Sequence, residues 1–497
     1  TFWAHVPLGL AALVSLRRSG PARWLTTLWV VALLFYLVVF SMLANARLED
    51  ALHIMVQERF WQQALVVLSA LMGVVMLLAF LLAVWVIFRG ISPIIVLLAL
   101  AIVWTLLAGS SFRDLLVNVL QRGGEQYAST IVIIVFGAWF GQVLVQTGIA
   151  ESMIRTAVEL AGDRPIAVVW AVSLITALLF TSIYGVGAAI SIGVIAIPIM
   201  LSLGIPARVA APAFTMAIGA GNYLNPVEFG IFKSFFKGIE YGGAYFTFYL
   251  IGFAVYLLAA FAMSAWNLRG LEVRRASAVG VAAVAPRTRV PWISYLAPAL
   301  PVVVIIVFKW PLIPAFLLAI LFALATTQMS RTLKQTVDLF HKAFYDAFPD
   351  IATIAALWIV CGMLIVAGQL DAVKAVLNPV FAPIIPHTPL QASLFFALLA
   401  PLAIYRGPFA VVGTGAALLA VMLNANFVSP VFLYLVWRGP LCLQGSQDPT
   451  NSWTLWTIGY TKVSHGDFLK TALPWGWLMV AVNAFIAYFM FRGTFGG

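Results

Sequence analysis

Charge is scarce in this 497-residue chain: Asp, Glu, Lys and Arg make up 9% of it, hydrophobic residues 63%, and mean hydropathy is +1.04. So small a charged fraction excludes a soluble globular domain, in which about a quarter of residues are charged. Cysteine is nearly missing too. Cys361 and Cys442 lie in apolar runs, so no disulfide framework, thiolate metal cluster or redox motif can be built from them. Five scattered histidines lack ligand spacing, and no metal site or cofactor is expected. The phosphate-binding loop G-x-x-x-x-G-K-[ST] is missing, which excludes direct drive by ATP through that motif. The two sizeable hydrophilic stretches, Arg269 to Arg289 and Arg331 to Pro349, hold no paired carboxylates and no Ser/His/Asp set of the kind a membrane-embedded enzyme needs.

Apolar runs are what the chain has in abundance. Those at Leu25 to Leu43, Ala64 to Phe88, Ile91 to Leu107, Thr130 to Val145, Phe246 to Trp266, Trp292 to Phe308, Ile351 to Val366 and Leu473 to Phe491 approach or reach the ~20 residues that cross a bilayer as helix. The fold class is therefore all-α, polytopic and membrane-embedded. The formal charge of +11 sits in short loops beside these runs, as the positive-inside rule expects, so the partner is lipid rather than nucleic acid. A multi-pass protein of the inner, cytoplasmic membrane is the expected location.

An internal repeat is present. Val145-Gln-Thr-Gly148-Ile-Ala-Glu151 matches Ile365-Val-Ala-Gly368-Gln-Leu-Asp371, Ile183-Tyr184-Gly185 matches Ile404-Tyr405-Arg406-Gly407, and Asn225-Pro226-Val227-Glu228 matches Asp448-Pro449-Thr450-Asn451. Three short matches in the same order at a nearly constant offset are not accidental. The arginines orient the halves. Arg269, Arg274, Arg275, Arg287 and Arg289 mark a cytoplasmic loop, so the second unit enters from the cytoplasm, whereas counting crossings from Arg17, Arg18 and Arg23 starts the first unit outside. Two like units entering from opposite faces make an inverted repeat. The expected organisation is N-terminal accessory or scaffold helices at 1–109, a first repeat at 110–270, a cytoplasmic linker, helix pair and amphipathic segment at 271–349, and a second repeat at 350–497.

Both halves carry helix breakers where lipid-compatible helix is expected. In the first, Val209 to Ala217 meets Gly219-Ala-Gly221, Asn222 and Asn225-Pro226, and helix resumes through Phe229 to Phe236. In the second, Phe432 to Trp437 meets Arg438-Gly-Pro440 and then Gly445-Ser446-Gln447-Asp448-Pro449-Thr450-Asn451, and helix resumes through Trp453 to Ile458. Proline removes an N–H and disfavours helix before it, and interrupted helix survives in a membrane only where protein or a wet cavity satisfies the freed groups. Two discontinuous helices follow. Half-helix N-termini suit an anionic group and freed carbonyls a cation, with Asn225, Glu228, Asp448 and Asn451 as candidates for ion coupling by H+ or Na+. Simple interfacial turns are the alternative reading.

Upstream of each break a glycine-rich segment suits a re-entrant hairpin, within Ile166 to Leu203 and Leu390 to Leu423. Candidate ligand groups at the first tip are Ser182, Tyr184, Gly185 and Gly187, and at the second Arg406 and Thr414. Close helix packing also uses such glycines. Arg406 lies between apolar stretches with no acid nearby in sequence. An arginine inside the membrane faces a cavity or partner, and its fork fits a carboxylate; snorkelling to the interface is the alternative. With Asn222, Asn225, Gly445, Ser446, Gln447, Thr450 and Asn451, these residues form the expected site for a small anion.

The Thr147 to Glu151 segment, the hairpin Tyr184 to Gly193, the breaks Asn222 to Glu228 and Gly445 to Asn451, and the closing span after Gly466-Asp467-Phe468 together resemble the ion transporter superfamily of inverted-repeat carriers. That resemblance covers roughly residues 125 to 495, and Gly445-Ser446 with Asn451 and Trp453 is most similar to the gluconate-permease and citrate-symporter branches. Asp448-Pro449 departs from the signature of the sodium-dicarboxylate branch. The resemblance implies a secondary carrier for a carboxylate, a homodimer and an elevator motion. A channel and a membrane-embedded glycosyl transferase or polymerase are the competing classes.

Overall fold

Proline at the first helical position starts helix after helix in this chain. Ser92-Pro93, Arg164-Pro165, Asn225-Pro226, Thr388-Pro389 and Ser429-Pro430 each begin one, because the missing N–H is an orphan there in any case and φ is already set. Side-chain oxygens complete several of these starts: Thr388 accepts from Gln391 N at 3.2 Å and Ser429 from Phe432 N at 3.2 Å. The computed structural model describes residues 58–162, 164–236, 238–269, 290–327 and 331–494. The run Leu25 to Leu43, the arginines from 17 to 23 and those from 274 to 289 lie outside the described residues.

The helices in chain order are α1 (Glu58–Phe88), α2 (Pro93–Leu107), α3 (Ala128–Gln146), α4 (Ile149–Ala161), α5 (Pro165–Phe180), α6 (Val186–Ser202), α7 (Ala207–Asn222), α8 (Pro226–Lys233), α9 (Gly243–Leu268), α10 (Leu300–Phe308), α11 (Leu312–Thr327), α12 (Leu333–Gln369), α13 (Asp371–Phe381), α14 (Pro389–Leu399), α15 (Gly415–Ala425), α16 (Pro430–Gln447), α17 (Ser452–Thr461) and α18 (His465–Phe491). A π-helical stretch, Asp114–Arg122, leads into α3, and a 3-10 stretch, Ala400–Arg406, follows α14. Among the described residues six helical segments are long and apolar enough to cross a membrane, so the chain is a multi-pass, all-helical membrane protein.

One element order occurs twice. A long helix is followed by a short helix with an acid in its first turn, a helix–loop–helix, an interrupted helix and another long helix, as α3 to α9 and again as α12 to α18. The short helices match in detail: Glu151 pairs with Arg155 at 2.8 Å and Asp371 with Lys374 at 3.4 Å. Gly148, in the left-handed region at φ 81°, turns the chain between α3 and α4. The helices of the first hairpin are 16 and 17 residues long. At 1.5 Å per residue they reach only ~24–26 Å, short of a ~30 Å core.

The amphipathic segment does not end at 350: a capping box of Thr332 and Gln335 starts α12, which runs unbroken through Pro349. Nor does Arg438-Gly-Pro440 break α16, which continues to Gln447. In the first half, likewise, helix persists through Gly219 and Gly221 and stops only after Asn222. The glycines serve close packing instead. A Cβ on Gly221 would overlap the Ala177 carbonyl of α5, so α7 can lie directly on the hairpin.

Candidate functional site

Each interruption is built around one side chain at the same position of its motif. At the first, Asn225 caps α8, its Oδ1 accepting from Val227 N at 2.8 Å. Its Nδ2 donates to the carbonyls of Phe180 and Ile183 at 2.9 and 2.8 Å, the groups left free where α5 ends and the hairpin tip begins. At the second, Asp448 Oδ1 accepts from Thr450 N and Thr450 Oγ1, both at 2.8 Å. Its Oδ2 accepts from the backbone N–H of Arg406 at 3.1 Å, in the second hairpin tip. An amide meets carbonyls in one half and a carboxylate meets an N–H in the other. The residue type at each position follows from the polarity of the tip it holds.

Contacts between the halves join these two clamps into one cluster. Tyr184 of the first tip lies edge-on to Trp453 of α17, ring centroids 6.5 Å apart. Arg438 of α16 is 1% exposed. It donates from Nη1 to Glu228 Oε2 at 3.3 Å and from Nη2 to the Asn222 carbonyl at the end of α7, while its guanidinium lies over Tyr223 and Phe232 at 5.2 and 5.5 Å. The Asn222 amide packs against Gly445. Gly445 in turn offers its carbonyl to Asn451 Nδ2 at 3.2 Å and Trp453 Nε1 at 2.6 Å.

The second tip is strained. Tyr405 and Arg406 both have left-handed backbone, φ 55° and 56°, a conformation that costs a non-glycine residue of order 1–3 kcal/mol and concentrates at functional sites. The Arg406 carbonyl accepts from both the N–H and the hydroxyl of Thr414 at 3.1 Å, and its Nη1 donates to the Val412 carbonyl at 3.1 Å. The guanidinium is half-buried and has no carboxylate partner among the described residues.

Not every expected residue meets at this cluster. Ser446 bonds the Cys442 carbonyl at 2.7 Å and the hydroxyl of Tyr256 on α9, and Gln447 packs against Gly476 of α18. Both hold α16 to its neighbouring helices. Thr450 is exposed. Ser182 is fully buried in the first tip, its hydroxyl without a partner among the described residues. Gly185, at φ 113°, caps α6, and Gly187 in its first turn meets Asp350 of α12. Sequence reasoning missed Arg438 and Asp350 as functional candidates. Arg438 carried the same signal as Arg406, a lone cation between apolar stretches, and was read only as part of a helix break.

Interlocked hairpins and interrupted helices on an all-helical, multi-pass frame define a class of membrane-protein fold. The chain superposes on the crystal structure of the YdaH transporter of Alcanivorax borkumensis with a TM-score of 0.55 at 13% identity, covering 84% of this chain and 98% of that one. No protein-family model and no curated protein sequence matches.

Proposed function

We propose that the chain is a secondary active transporter of a small organic anion, a carboxylate such as gluconate, citrate or a dicarboxylate, coupled to H+ or Na+. The observation that carries this reading is the single cluster made from both halves, with the Arg406 guanidinium in a strained tip and no carboxylate to neutralise it among the described residues. An unneutralised guanidinium favours a bidentate anionic partner. Around it the tip residues Ser182, Tyr184, Gly185, Gly187 and Thr414, together with Asn222 and Gly445, line or shape the proposed binding region. The duplicated element order supports an internal repeat; in this reading its two units are inverted, and the hairpins and interrupted helices move as an elevator domain in a homodimer of the inner membrane.

Of the groups considered for ion coupling, Asn225, Asp448 and Asn451 are engaged with backbone and hydroxyl groups and Glu228 with Arg438. A coupling ion at these residues would share those bonds.

Uptake of radiolabelled citrate, gluconate and succinate into proteoliposomes under an imposed pH or Na+ gradient tests the reading. Saturable uptake that responds to a gradient is expected. Non-saturating flux would make the protein a channel, and no movement of any of the three would remove the small-carboxylate assignment.

A further inference from the structure

An ionised carboxylate inside a membrane span is costly and is normally neutralised by a cation. Glu228 has Arg438, and both oxygens of Asp448 are filled by donors. Asp350 differs from both. It lies on α12 where the hydrophilic stretch ending at Pro349 meets the apolar run Ile351 to Val366, it is half-buried, and no Lys, Arg or His pairs with it among the described residues. A neutral donor holds it instead: Gln142 of α3 donates from Nε2 to Asp350 Oδ2 at 2.6 Å, and the backbone of Gly187 lies against the carboxylate. Gly187 is in the first turn of α6, where unpaired N–H groups and the helix dipole favour negative charge. A Cβ at Gly187 would overlap both carboxylate oxygens, which is why residue 187 is glycine.

The surroundings of Asp350 hold little charge. On its own helix the nearest acid is Asp346, one turn earlier. From α3 it faces Gln142, which accepts from Gln146 Nε2 at 3.3 Å, and Gln146 in turn donates to Asp346 at 2.8 Å. From α6 the contact is with Gly185 and Gly187, neither of them charged. Arg331 turns to the carbonyls of Gln146 and Thr147 at the end of α3, at 3.4 and 3.3 Å.

We propose that Asp350 is the proton-accepting residue that couples H+ to the first hairpin. Ionised, it accepts from Gln142 and faces the N-terminus of α6 at Gly187, fastening the tip to α12 and α3. Protonation converts one acceptor oxygen to an O–H donor and removes the charge that the α6 N-terminus attracts, so the tip is released from α12. The inference rests on the carrier reading above and selects H+ over Na+.

Two measurements on the full-length protein in phosphatidylethanolamine/phosphatidylglycerol vesicles test it. In infrared difference spectra recorded across pH steps, a protonated-carboxyl C=O band is expected to grow on acidification in the wild type, in Glu228→Gln and in Asp448→Asn. It should be lost in Asp350→Asn and return, shifted, in Asp350→Glu. An unchanged band in Asp350→Asn overturns the proposal. In citrate uptake driven by an imposed pH gradient, the acceleration by the gradient is expected to fall at least tenfold in Asp350→Asn and to return in part in Asp350→Glu. Gly187→Ala, which crowds the carboxylate while leaving it present, should also reduce it. Gradient-driven uptake by Asp350→Asn at the wild-type rate overturns the proposal while leaving the carrier reading intact, and so does wild-type uptake driven by Na+ alone. A wild type that moves no citrate counts against the carrier reading, and the infrared result still decides whether Asp350 takes the proton.

Discussion

Arg438 and Glu228 form an ion pair at 3.3 Å between α16 and α8, one partner from each repeated unit. Two long-separated residues thereby tie the second half to the helix that follows the first interruption. The pair is deeply placed, with 1% and 14% of the side chains exposed, so removing one partner leaves an uncompensated charge. Such a loss typically costs about 3–5 kcal/mol, whereas replacing both partners by apolar residues is often neutral. Glu228→Gln and Arg438→Leu are each expected to lower Tm in detergent, and the double variant Arg438→Leu with Glu228→Leu to recover most of the loss. Additive losses in the double variant would show that the two side chains act independently.

How much of this was legible in the sequence differs from feature to feature. The apolar runs that became α1, α2, α3, α9 and α18 are visible because a lipid-facing helix must be apolar over its whole length. The interruptions were visible through Asn225-Pro226 and Asp448-Pro449, since proline after an extended residue is a local signal. Arg438-Gly-Pro440 misled because it has the same local signature. In the folded chain α16 continues through it, with the guanidinium satisfied by Glu228 and the Asn222 carbonyl, partners more than 200 positions away. The Asp350–Gly187 contact was hidden for the same reason. Neither residue is unusual in its own neighbourhood, and only their meeting gives each a role.

The clamps on the two hairpin tips give a prediction that depends on polarity. Asn225→Asp is isosteric but replaces the donor that serves the carbonyls of Phe180 and Ile183, leaving them buried and unpaired at about 1–3 kcal/mol. Asp448→Asn keeps the acceptor toward Thr450 and turns its new NH2 toward the Arg406 N–H. Limited proteolysis of protein in vesicles should cut faster near residues 181–185 in Asn225→Asp and near residues 404–408 in Asp448→Asn. If both variants opened the same tip, each clamp could not be specific to its own half.

Inversion of the two units can be read by labelling. Glu125 is exposed, whereas Gly123 packs onto the backbone of Met363 in α12, so residue 125 is the better reporter of the loop ahead of the first unit. In a background with Cys361 and Cys442 replaced by alanine, Glu125→Cys is expected to react with an impermeant maleimide from outside only. Glu272→Cys, in the arginine-rich stretch, should react from the cytoplasm only. Reaction of both from one face would remove the inverted-repeat assignment.

Arg406 gives the sharpest test of the substrate class. Its backbone is held by Asp448 and Thr414, so the tip does not depend on the side chain for its shape. Among the described residues the guanidinium makes one bond, to the neutral Val412 carbonyl at 3.1 Å, and keeps further donors for a ligand. Losing a desolvated charge-assisted contact typically costs about 2–5 kcal/mol, more than tenfold in affinity at roughly 1.4 kcal/mol per decade. Lysine retains the charge and loses the fork. Arg406→Lys is therefore expected to weaken the apparent affinity for citrate or gluconate at least tenfold and Arg406→Ala to abolish uptake, both with a Tm close to that of the wild type. If Arg406 merely snorkels, lysine should substitute freely, because a flexible ammonium reaches the interface as well as a guanidinium does. Uptake by Arg406→Lys at the wild-type apparent affinity would remove the carboxylate clamp, leaving an anionic substrate supported only by the helix N-termini at the hairpin tips.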